Sequence, residues 1–113
     1  MASNRTVLVT GGGGFLGGAI VRLLVARGER VRTLSRGNYP ELERLGVVHF
    51  PGDIADGATV RRACEGVEAV FHVAAKPGVW GSYADFYQAN VQGTLNVIAA
   101  CRECGVARLI HTS

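Results

Sequence analysis

The stretch Thr6-Val7-Leu8-Val9-Thr10-Gly11-Gly12-Gly13-Gly14-Phe15-Leu16-Gly17 joins a short run of β-branched and aliphatic residues to four consecutive glycines. Beyond it, Leu16, Ile20, Leu23 and Leu24 recur at helical spacing. The pattern is strand, turn, helix. Gly11, Gly14 and Gly17 stand three apart, and each position has a physical use in such a turn. The first lets the chain leave the strand, the second lets backbone N–H groups approach a pyrophosphate, and the third lets the helix pack tightly on the strand. Glycine-rich turns also arise for geometry alone. A strand-to-helix junction inside a repeated β-α pattern is the context that favours binding of a dinucleotide phosphate.

The alternation continues outward. Gly28 is placed to cap the first helix, and residues 31–34 read as a second strand. Pro40 introduces one or two helical turns over residues 41–45, before a third strand over 47–50. Asp56 can cap a helix over 58–64 that Gly66 ends, and the apolar run 69–74 reads as a central parallel strand. A long helix over 84–104 closes at Gly105, and a fifth strand starts at Arg108. Strands alternating with helices require crossovers of one hand. The expected fold is therefore one α/β domain, a Rossmann-type doubly wound parallel sheet of order 3-2-1-4-5, ending in or just after strand five. The long helix has two apolar stripes, Phe86, Val97, Ala100, Cys104 and Tyr87, Val91, Leu95, Ile98. One would cover the sheet. The other calls for a partner, either further chain or a second subunit, so a homodimer through residues 84–104 is an expectation.

Hydrophobic residues form 48% of the 113 and charged residues 19%, which suits a globular domain and excludes a disordered one. The net charge of +3 is spread over single sites and pairs such as Arg61-Arg62, so no clustered basic face points to nucleic acid. No apolar run reaches membrane-spanning length and no signal-peptide core opens the chain, so a cytoplasmic location is expected. Cys101 and Cys104 form a Cys-x-x-Cys spacing, yet no second pair or nearby His completes a metal site. With Cys64 they read as reduced, small apolar residues. His72, inside the fourth strand, reads as a core histidine.

Residues 10–17 resemble the Thr-Gly-x-x-Gly-Phe-x-Gly motif of the extended short-chain dehydrogenase/reductase family, also called the NAD-dependent epimerase/dehydratase family. Gly52-Asp53-Ile54, His72-Val73-Ala74-Ala75 and Asn90-Val91-Gln92-Gly93-Thr94-Leu95-Asn96 are similar to further segments of that family, so the likeness spans the chain. The segment Pro77-Gly78-Val79-Trp80-Gly81-Ser82-Tyr83 most resembles the 3β-hydroxysteroid dehydrogenase branch, which includes 2-alkyl-3-oxoalkanoate reductases.

At the end of the second strand a carboxylate would bond the adenosine ribose of NAD, whereas an arginine would pair with the 2′-phosphate of NADP. Ser35 and Arg36 stand there, which favours NADP over NAD, the alternative being that Arg36 is a solvated loop charge. The resemblance implies that Gly11, Gly14, Phe15, Leu16 and Gly17 hold the pyrophosphate. It also implies that Asp53 and Ile54 flank the adenine and that Ala74 and Ala75 line the cofactor. Lys76 either reaches a phosphate or ribose or is solvated. Asn90 resembles the family's supporting helix asparagine, and Trp80 and Tyr83 either line a substrate pocket or pack the loop. The family's catalytic set is a Ser or Thr after strand five and a Tyr-x-x-x-Lys pair. None of Tyr39, Tyr83 or Tyr87 is followed by Lys four residues on, and Lys76 is the sole lysine. The expectation is the cofactor-binding part of an oxidoreductase acting on an apolar carbonyl or hydroxyl, without catalytic residues of its own. A nucleotide-sugar epimerase or dehydratase, and a non-catalytic NADP-binding module, are the alternatives.

Overall fold

The computed structural model describes residues 5–73 and 83–112. Five parallel strands, β1 (Thr6–Thr10), β2 (Arg30–Ser35), β3 (Val48–Pro51), β4 (Ala69–Val73) and β5 (Arg108–Thr112), form one sheet of order β3-β2-β1-β4-β5. Helices α1 (Phe15–Ala26), α2 (Pro40–Glu43), α3 (Gly57–Cys64) and α4 (Tyr83–Glu103) link the strands. The expected order and sequence of elements are observed, with ends shifted by one or two residues.

Alternation along the strands builds two cores. Val7 and Val9 of β1 pack with Val21 and Leu24 of α1 and with Leu42 of α2. Leu8 between them points the other way, joining Val60, Ala63 and Cys64 of α3 and Val97, Ala100 and Cys101 of α4. Period-two strands and period-3.6 helices thus give one helix pair on each face. Asp56 caps α3 as the sequence suggests, its carboxylate accepting from the N–H of Ala58 at 3.1 Å and the hydroxyl of Thr59 at 2.9 Å. The C-terminal end of that helix is closed from the sheet: Arg32 of β2 donates to the carbonyls of Ala63 and Glu65 at 3.0 and 2.6 Å, a cation placed where the helix dipole favours it.

Of the two stripes read on α4, Val97 and Ala100 are buried and Cys104 is partly so, whereas Val91, Leu95 and Ile98 are exposed. The side chain of Phe86, like that of Tyr87, lies outside the described residues. Among the described residues no helix is long and apolar enough to cross a membrane.

Candidate functional site

The order of the sheet reverses between β1 and β4, and the helices that follow these two strands, α1 and α4, pack on opposite faces. A crevice of about 270 Å³ opens at this point, lined by Thr10, Gly11, Leu34, Ser35, Arg36, Gly52, Asp53, Ile54, Val73 and Asn90. A hollow of about 390 Å³ lies between Thr6, Arg32 and Val48 at the opposite ends of the strands, where none of the motif residues reach. The crevice is the site.

The glycine turn shows a division of labour. Gly11 has φ +70°, and its carbonyl accepts from the Gly14 N–H at 3.1 Å, tightening the exit from β1. A Cβ on Gly17 would lie 2.0 Å from that same carbonyl oxygen, so the start of α1 packs directly on the turn. Gly14 is different. A Cβ there would meet nothing closer than 3.5 Å, and its φ of −79° suits any residue. The fold therefore does not need glycine at 14, and the absent side chain leaves room for something outside the chain. Among the described residues no side chain caps the N–H groups of Phe15, Leu16 and Gly17, and no acidic residue occupies the first turn of α1. Open amides, the positive end of a helix and no competing carboxylate suit a pyrophosphate. Phe15 is 98% exposed, so its place at the turn rests on its backbone, not on packing.

Around the crevice, Arg36 projects from the end of β2, with its guanidinium 3.9 Å from the Asp53 carboxylate. The other Asp53 oxygen accepts from the Ala55 N–H at 2.9 Å. The structure thus brings Ser35, Arg36 and Asp53 together, and gives Arg36 a partner rather than solvent alone. The hydroxyl of Ser35 is buried and has no hydrogen-bond partner among the described residues, a costly state for a polar atom unless a ligand or water completes it. Ser35 and Arg36 offer donors, and Asp53 an acceptor, to the ribose end of a dinucleotide.

Helix α4 supports the floor through residues whose roles the sequence did not reveal. A Cβ on Gly93 would stand 2.3 Å from Ile54 Cδ1, and Asn96 donates to the Ile54 carbonyl at 2.8 Å. Thr94 Oγ1 meets His72 Nε2 at 2.9 Å, while His72 Nδ1 meets Thr10 Oγ1 at 2.7 Å. His72 is 3% exposed and stacks on His111, ring centroids 5.1 Å apart. Burial, and secondarily His111, push its pKa down to about 4, so the ring is neutral near pH 7, with one nitrogen donating and one accepting. It is a core histidine that ties β1, β4 and α4 together.

Two further residues have no local sequence signal. Tyr39 covers the glycine turn: a Cβ on Gly13 would fall 2.0 Å from its Cζ. His49 lies beside it, the rings meeting edge-on with centroids 6.5 Å apart. Ala74, Ala75, Lys76 and Trp80, and the side chain of Tyr83, lie outside the described residues. Cys64 and Cys101 are buried free thiols, and burial drives the Cys64 pKa up to about 12, far from a reactive thiolate. Among the described residues no group of three His, Cys, Asp or Glu could hold a metal ion.

A phosphate-ready glycine turn at the switch point of a doubly wound parallel sheet defines the Rossmann class of nucleotide-binding folds. Comparison with known proteins narrows the class. A family model described as the 3-beta hydroxysteroid dehydrogenase/isomerase family matches residues 8–113, and the chain belongs to that family. It is 57% identical over 107 residues to a 2-alkyl-3-oxoalkanoate reductase of Stenotrophomonas maltophilia, covering 95% of this chain and 32% of that protein. A 2-alkyl-3-oxoalkanoate reductase of Shewanella oneidensis is 48% identical over 105 residues, covering 93% of this chain and 27% of that protein. The crystal structure of a short-chain dehydrogenase/reductase superfamily protein from Agrobacterium tumefaciens with bound NAD superposes with a TM-score of 0.83 at 30% identity. That match covers 96% of this chain and 32% of that one. The chain therefore spans about a third of the length of these relatives.

Proposed function

We propose that this chain is the cofactor-binding part of an NADP-dependent oxidoreductase that moves hydride between NADP(H) and a carbonyl or hydroxyl of an apolar, β-keto acid or steroid-like substrate. The observation that carries it is the pairing of an open amide cradle at Gly14–Gly17 with Ser35 and Arg36 at the end of β2, a strand end that itself carries no acid. Gly11, Gly14, Gly17 and the backbone of Phe15 and Leu16 hold the pyrophosphate. Arg36 turns from Asp53 to the 2′-phosphate, and the unpartnered Ser35 hydroxyl donates to the same group. Asp53 keeps free lone pairs for the exocyclic amine of adenine, and Ile54, gripped by Gly93 and Asn96, is its apolar wall. By the family resemblance, Ala74 and Ala75 are proposed to line the cofactor and Lys76 to reach a phosphate or ribose. When bound, the nicotinamide supplies or accepts the hydride; the residues of this chain bind and orient it. The two 2-alkyl-3-oxoalkanoate reductases support a β-keto acid substrate over a nucleotide sugar.

The exposed stripe Val91, Leu95 and Ile98 of α4 is proposed to meet a second copy of the chain. A cytoplasmic setting, which keeps thiols reduced, suits the buried Cys64 and Cys101.

The test is calorimetric titration with NADP and NAD of the chain and of Arg36→Asp. Tighter NADP binding that the substitution reverses is the expected result. Equal binding of both dinucleotides by the unaltered chain removes the NADP assignment, and binding of neither removes the cofactor reading.

A further inference from the structure

The glycine turn and the loop that carries Arg36 are joined by side chains that the reading above leaves unused. Tyr39 lies against both: a Cβ on Gly13 would stand 2.0 Å from its Cζ, and a Cβ on Gly37 would stand 2.5 Å from its hydroxyl oxygen. The His49 ring meets Tyr39 edge-on at 89°. His49 is itself tied at both nitrogens, Nε2 lying 2.9 Å from the Gly37 carbonyl oxygen and Nδ1 2.9 Å from Thr33 Oγ1. A carbonyl oxygen can only accept. Nε2 therefore donates, and in the neutral ring Nδ1 accepts from the Thr33 hydroxyl. Thr33 is in register with His49 and 1% exposed, and its methyl group fills the space at Gly12, where a Cβ would come within 2.7 Å.

Two lines of contact result. One runs Gly12, Thr33, His49, Gly37, and the other Gly13, Tyr39, Gly37. Both end on the residue after Arg36. The Arg36 side chain is 83% exposed and touches Asp53 only at 3.9 Å, so packing of the side chain does little to fix it; its backbone is what the chain can hold still.

We infer that Tyr39 and His49 are positioning residues that fix the Arg36–Gly37 backbone against the glycine turn, so that a 2′-phosphate and a pyrophosphate on one ligand are met at a set separation. The inference rests on the NADP reading above. Its physical basis is preorganisation: a loop already held in its binding geometry loses less conformational freedom when ligand arrives. The adenine-side residues Asp53 and Ile54 lie on another loop, so loss of the brace is expected to show chiefly at the 2′-phosphate.

The experiment compares 2′,5′-ADP with 5′-AMP, which differ by that phosphate, in titrations of the chain, His49→Leu and His49→Gln, with thermal melts to show folding. The unaltered chain is expected to prefer 2′,5′-ADP. His49→Leu should lose about tenfold of that preference, the size of one hydrogen-bonded constraint, while 5′-AMP affinity stays within about twofold. His49→Gln, whose amide N–H reaches where Nε2 does, should restore most of it. A folded His49→Leu with undiminished preference overturns the inference and leaves the NADP reading standing. An unaltered chain that does not distinguish the two nucleotides overturns the NADP reading, and the inference with it. If His49→Leu does not fold, the ring 15N shifts of the unaltered chain decide. Protonation at Nε2, kept when 2′,5′-ADP is added, is expected, and protonation at Nδ1 overturns the inference, because Gly37 then loses its donor.

Discussion

Three glycines spaced alike do unlike things, and single substitutions separate them. Gly14→Ala is expected to fold with a melting temperature near that of the parent, since its Cβ meets nothing within 3.5 Å, yet to weaken NADP binding at least about tenfold by standing where the pyrophosphate sits. Gly17→Ala drives a Cβ to 2.0 Å from the Gly11 carbonyl and should cost about 1–3 kcal/mol or more in denaturant unfolding. His72 provides a pH test. Its folded pKa of about 4 lies below the ordinary 6.5, so the unfolded chain binds the proton more readily. This contribution to stability is complete above pH 6.5 and is lost as pH falls through 4. His72→Gln should flatten the dependence of stability on pH across that window, whatever its own stability; an unchanged slope would show that His72 is not the group responsible. Gly14 and Arg36 could be singled out as candidates from local signals, a spacing and a position at the end of a strand, and Asp53 from the family resemblance. Tyr39 and His49 were not, because each matters through a contact with a residue remote in sequence, and nothing in a tyrosine before a proline announces which glycine it will cover.

At the scale of elements, strands and helices followed from alternation and spacing, the parallel sheet from the handedness of crossovers, and the strand order from the doubly wound class. The purpose of α4 was only half visible. Its periodicity showed two faces, and Val97 and Ala100 do cover the sheet. Its polar face, however, reaches across to the loop after β3 through Gly93 and Asn96, and a hydrophobic pattern carries no information about which backbone carbonyl an amide will find. Asn96→Ala is expected to lower stability by about 0.5–1.5 kcal/mol, read by denaturant unfolding, and to weaken adenine-side binding as Ile54 loosens. A variant that loses stability but binds 5′-AMP unchanged would detach Ile54 from the site.

For the molecule as a whole, two cores on opposite faces of one sheet leave the crevice at their common upper edge, so site geometry depends on both helix layers keeping their registers. The exposed stripe on α4 adds a prediction at this scale. The chain should self-associate in sedimentation velocity, and Leu95→Lys, at a side chain 54% exposed, should shift it toward monomer with little loss of fold. A monodisperse monomer before any substitution would count against the stripe as a contact surface. The ring of Tyr39 lying on Gly13 and Gly37 also has an evolutionary meaning. These three positions cannot drift independently: a side chain gained at 13 or 37 has room only where 39 has first become small. Aligned relatives should therefore show a large residue at 39 only alongside glycine at both of the others.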